Sequence, residues 1–142
     1  MISLSRSAAS KAIELTEHQN RTVAAINSAV GDVRAMYITV APGQEMIYQA
    51  KEAEAKDFVA QPTTPTDLTP YPFIAAEVGT TAPDAPSVAQ VFLNLADQWR
   101  ALGARLEQAR IHFIDQVRAQ TTISGVDGAL ANFKLTLEPY RK

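Results

Sequence analysis

Apolar residues recur along two long stretches of the chain at alternating steps of three and four. Val23, Ile26, Val30, Val33, Tyr37 and Val40 make the first series, and Val88, Phe92, Leu95, Trp99, Leu102, Leu106, Ala109 and Phe113 make the second. Such steps place side chains on one stripe of an α-helix, close to the a/d seam of a heptad repeat. The second series predicts a helix over about 87–120, roughly 50 Å long at about 1.5 Å per residue. A globule of 142 residues is only about 30 Å across, so this helix is expected to project or to pair along its length.

The first series predicts a helix over about 5–40. Ala8, Ala12 and Leu15 extend its stripe weakly toward the amino terminus. Thr16–Thr22 interrupts it with seven polar residues. Thr16 with Gln19 could form a capping box and restart a second helix. A continuous, solvated helix is the favoured alternative, and it would put Thr16 and Gln19 on the seam, where polar residues fix register.

Shorter elements fill the rest. Pro42-Gly43 closes the first helix, and about 43–60 forms the next, expected to return antiparallel against it. Its charged residues Lys51, Glu52, Glu54, Lys56 and Asp57 read as a solvated face. Six of the eight prolines (62, 65, 70, 72, 83 and 86) then crowd one stretch, which excludes a long helix there. Within it, about 72–78 reads as a short helix, with Pro72 in its first turn and Gly79 just past its end. Tyr71, Phe73, Ile74 and Val78 would plug it onto a neighbour. Ser87 and Gln90 match a capping box for the long helix, and Gly103 inside it hints at a close helix crossing. Asp97–Arg100, Glu107–Arg110 and Asp115–Arg118 are i,i+3 pairs expected on the side opposite the seam. Ser124 is expected to cap a last helix over about 125–138, with Val126, Leu130, Phe133 and Leu137 on one face.

These elements predict an all-α chain, an elongated helical bundle of coiled-coil-like hairpins with two long and three shorter helices. They fit a single domain, arranged as a 5–60 hairpin, a 61–86 connector and an 87–142 segment. The candidate packing and partner residues are Val23, Ile26, Val30, Val33, Tyr37, Val88, Phe92, Leu95, Trp99, Leu102, Leu106 and Phe113.

Composition narrows the chemistry more than it names it. Apolar residues are 46% and charged residues 20%, enough to bury a core. The net charge of −2 hides an uneven distribution. Residues 1–40 carry +1, 41–86 carry −5 and 87–142 carry +2. A basic nucleic-acid binder is not expected from such a balance, and Asp97, Glu107 and Asp115 interrupt the arginines of the long helix. No cysteine is present, which excludes disulfides, thiol catalysis and thiolate-bound metal. His18 and His112 stand apart, one read as solvated and the other as a boundary residue. The acidic group Glu45, Glu52, Glu54 and Asp57 lacks the Glu-x-x-His motifs of a di-iron bundle. No phosphate loop or nucleophile motif occurs. The reading is therefore no enzyme, no cofactor, no metal, no nucleic acid and no membrane. The amino terminus lacks the apolar run of a secretion signal, so synthesis in a cytoplasm is expected, and the sequon Asn20-Arg21-Thr22 is read as chance.

Four segments carry a resemblance. They are Tyr37-Ile38-Thr39-Val40-Ala41-Pro42-Gly43-Gln44-Glu45, Tyr48–Ala55 (YQAKEAEA), Tyr71–Glu77 (YPFIAAE) and Trp99–Arg110 (WRALGARLEQAR). Across about 23–120 the chain resembles small helical proteins encoded among the tail genes of tailed bacteriophages and prophages. The resemblance implies a structural virion protein of the tail or baseplate, an oligomeric helical connector or attachment element for a fibre or spike. Threefold or sixfold copy number would fit tail symmetry, with other tail proteins as partners. The alternative it leaves open is a fibre-assembly chaperone absent from the finished particle. No catalytic residue carries over, and the polar extension before Val23 lies outside the resemblance.

Overall fold

Local sequence rules account for most helix ends in the computed structural model, which describes residues 6–142. The chain is all-α, with α1 Ala8–Tyr37, α2 Gln44–Ala60, α3 Pro72–Glu77, α4 Ala85–Ala119, α5 Ile123–Leu137 and a 3-10 turn Glu138–Tyr140. Among the described residues no strand forms, and Val78 and Ala82 make an isolated bridge. The expected start of the first helix near residue 5 falls outside the described residues. α1 itself begins after Ser7, whose hydroxyl accepts from the Ser10 amide at 3.1 Å. It runs unbroken through Thr16–Thr22. No capping box forms there, because Thr16 Oγ1 donates to the Ala12 carbonyl inside the helix.

Two expected caps move along the chain. Asp84, not Ser87, caps α4, its carboxylate accepting from the Ser87 amide at 2.8 Å, while Gln90 reaches forward to Asn94. Thr122, not Ser124, caps α5 by accepting from the Gly125 amide at 3.0 Å. In both places the oxygen lies three residues before the amide it accepts from, as N-cap geometry requires. Gly79 does occupy the position past the end of α3, with φ +83°, a left-handed conformation that glycine adopts without cost.

Contacts divide the chain into two compact units, Met1–Ile38 with Gly103–Lys142, and Thr39–Leu102. In the first, α1 packs on α5. Its core joins Ile26, Val30 and Val33 of α1, Leu106, Ala109, Phe113 and Val117 of α4, and Val126, Ala129, Phe133 and Leu137 of α5. Phe113 and Phe133 meet edge to face with centroids 5.6 Å apart, a favoured aromatic geometry. In the second unit, α2 packs on α3, around Ala55, Phe58, Tyr71, Ile74, Val88, Ala89 and Phe92. Within its own unit α1 takes α5 as partner, and α2 takes α3. Amphipathic periodicity says which face of a helix is covered, and not by what.

Phe133 is fully buried. Phe133→Ala is expected to destabilise the first unit by about 3–5 kcal/mol, read as a lower urea midpoint with loss of helical signal.

Candidate functional site

The surfaces that could act on other molecules are those the helices leave after satisfying their own ends and charges. In the first unit, α1 and α4 are joined by a ladder of polar contacts. The side-chain amide of Gln19 donates to the carbonyls of Val117 at 3.2 Å and Gln120 at 3.0 Å, at the carboxyl end of α4. The last carbonyls of a helix have no partner within it, so Gln19 serves as a cap supplied by another helix. Asn20 accepts from Arg118 at 2.6 Å, Asn27 from Arg110 at 3.1 Å, and Arg34 donates to Glu107 at 3.0 Å. Asn20, Asn27 and Arg34 are one heptad apart, a second periodicity running beside the apolar one. Arg118 therefore serves Asn20 where pairing with Asp115 was expected, and Glu107 and Arg110 face α1 where the side away from the seam was expected.

Glu107 is the most perturbed acid of this ladder. Hydrogen bonding and charge from Arg110, then Arg34, outweigh its partial desolvation and hold its pKa at about 2, against an ordinary 4.5. Nearby, His18 is hydrogen-bonded to Asp127 at 2.7 Å with its side chain 23% exposed. It ties α1 to α5 where a solvated role was expected. Buried Thr22 donates to the His18 carbonyl at 2.8 Å, which satisfies its hydroxyl. A groove of about 280 Å³ lies between α1 and α5, floored by Ala25, Ala29 and Leu130 and rimmed by Lys134, Glu138 and Arg141.

In the second unit the expected solvated face of α2 is only partly so. Lys56 and Asp57 are exposed, but Lys51, Glu52 and Glu54 are half-buried and occupied. Glu54 spreads its carboxylate over the start of α3, accepting from the amides of Phe73 at 3.1 Å and Ile74 at 2.7 Å. Pro72 has no amide to satisfy, so this one side chain serves the exposed donors of a helix too short to stand alone. Lys51 pairs with Glu77 and sits 5.0 Å from the centre of the Phe92 ring. Glu77 also accepts from Thr81 at 2.6 Å. Burial pushes against its ionisation, yet the hydrogen bonds from Lys51 and Thr81 keep its pKa below the usual value. Glu52 gathers Lys56 and Arg100, and Arg100 also holds Asp97 at 2.9 Å.

The apolar seam residues divide among several roles. Ile26, Val30, Val33, Leu106 and Phe113 form the core of the first unit, and Val88 and Phe92 that of the second. Val23 is half-buried. Tyr37 is partly exposed, its hydroxyl donating to the Tyr140 carbonyl and its ring lying under Lys142 Nζ at 4.0 Å. Leu95 is 58% exposed, although one heptad of helix turns it only about 20° from the direction of Val88. Trp99 and Leu102 are half-buried. The open part of the seam is therefore Leu95 to Leu102. Gly103 next to it has no neighbour within 4 Å of where a Cβ would stand, so the expected close crossing is absent.

Among the described residues no group of three histidine, aspartate or glutamate side chains is placed to hold a metal ion, and no helix is long and apolar enough to cross a membrane.

Glu54→Ala is expected to cost about 1–2 kcal/mol by stranding two amides, measured by urea denaturation. Since the Glu107 pKa lies lower folded than unfolded, its stabilising effect is complete above about pH 4.5 and is lost as pH falls toward about 2. Glu107→Gln is expected to flatten the stability profile across that interval in chemical denaturation series. Compared with protein-family models, with curated proteins and with solved structures, the chain has no significant match.

Proposed function

We propose that the chain is a non-catalytic structural protein of a bacteriophage tail or baseplate, an oligomeric helical connector that holds a fibre or spike. The observation that carries the connector role is Leu95, an aliphatic side chain on the apolar stripe of α4 left 58% exposed. With the half-buried Trp99 and Leu102 on the same stripe, it supports a contact with another helix. The neighbouring positions Asn94, Gln98 and Ala101 are uncharged, which suits another helix and offers nothing to a phosphate backbone. The tail assignment rests on the resemblance of the four segments quoted above. The half-buried Trp99 would serve as the aromatic anchor of such a contact.

A mass-spectrometric inventory of purified phage particles is expected to find the protein with the fibre or spike components. Recovery only with unassembled fibre would make it an assembly chaperone, and absence from both would sink the proposal. In solution the protein is expected to self-associate, and Leu95→Arg to weaken that association at least tenfold by sedimentation equilibrium, about 1.4 kcal/mol or more. A strictly monomeric wild-type protein would remove the oligomeric part.

A further inference from the structure

We propose that α4 carries a built-in hinge centred on Gly103, where the helix opens locally while both units stay folded. Between Phe92 and Leu106 no residue of α4 is buried. That interval, Leu93–Arg105, is roughly 20 Å of helix. Helices in proteins draw most of their stability from tertiary packing of one face. Leu93 still packs partly against the second core and Arg100 pairs with Glu52, so the least supported part is Ala101–Arg105, and local opening is drawn from such stretches.

Gly103 concentrates the weakness. Glycine inside a helix favours the open chain roughly fivefold more than alanine does, because it has more backbone freedom to regain. Helical glycines are commonly explained by close packing, yet here a Cβ would meet nothing within 4 Å. The turn Ala101–Ala104 contains no charged residue, while i,i+3 ion pairs brace the turns on either side, Asp97–Arg100 and Glu107–Arg110. The boundary between the two compact units falls between Leu102 and Gly103. Opening at that point breaks backbone hydrogen bonds and uncovers no buried side chain of either core.

Amide hydrogen exchange on the full chain, in the wild type and on the Leu95→Arg background that removes cover by a second copy, tests this. Amides of Gly103–Arg105, whose hydrogen bonds lie along the uncovered turn, are expected to exchange at least tenfold faster than those of Ala89–Phe92 and Phe113–Val117. Gly103→Ala is expected to slow exchange about fivefold in that window alone, and Ala104→Gly to speed it there alone. Uniform protection along α4 would overturn the hinge. So would a Gly103→Ala effect spread equally over the chain, since that reports global stabilisation.

Discussion

A helix ends in backbone groups that the helix itself cannot satisfy, and in this protein side chains from other helices complete that task where local caps do not. Gln19 reaches the last carbonyls of α4, and Glu54 reaches the first free amides of α3. Each of these contacts fixes an azimuth as well as an end. Once Gln19 is seated, Asn20, Asn27 and Arg34 follow at heptad intervals onto Arg118, Arg110 and Glu107, and the apolar residues between them close over Phe133. The polar stretch of α1, which interrupts the apolar pattern, is thus where α1 takes its register from α4. In the second unit Glu54 does comparable work. It makes a six-residue helix worth forming, so that Ile74 and Tyr71 can be buried against Phe58, whose ring meets Tyr71 edge to face at 5.1 Å.

Much of the fold was legible because apolar periodicity and proline placement are local signals. All five α-helices appear close to their expected bounds, and Gly79 ends α3 as its position implies. Partner choice was less legible. The pairings of α1 with α5 and of α2 with α3 were not expected, because the sequence carries no direct mark of which apolar faces meet. Caps slipped by two or three residues, to Asp84 and Thr122, because several suitable oxygens lie near each helix start and only geometry selects among them. The charged face of α2 misled for a related reason, since a carboxylate that caps a distant helix is indistinguishable in sequence from one in water. Asn20, Asn27 and Arg34 did leave a signal, a polar heptad parallel to the apolar one.

The candidate contact surface was visible in sequence only as part of a longer series. Eight residues of α4 share a seam pattern, yet the ends of that series serve the protein's own two cores. What the two cores leave open is the short section around Leu95, Trp99 and Leu102. A seam read from periodicity alone therefore overstates the surface available to partners, because intramolecular and intermolecular packing ask for the same residues. Burial separates the two uses.

The missing cover over the middle of α4 also bears on how such a chain can vary. Each core closes on its own end of the helix, at Phe92 and at Leu106, and neither core has a buried residue in between. Apart from Leu93, which packs partly against the second core, and Arg100, which pairs with Glu52, the exposed residues there are free of the close-packing constraint that governs the ends. Polar substitutions at its exposed positions, Asn94, Asp97 and Gln98 among them, therefore leave the residues of both cores in place, so the surface character of this section can be altered without repacking either core.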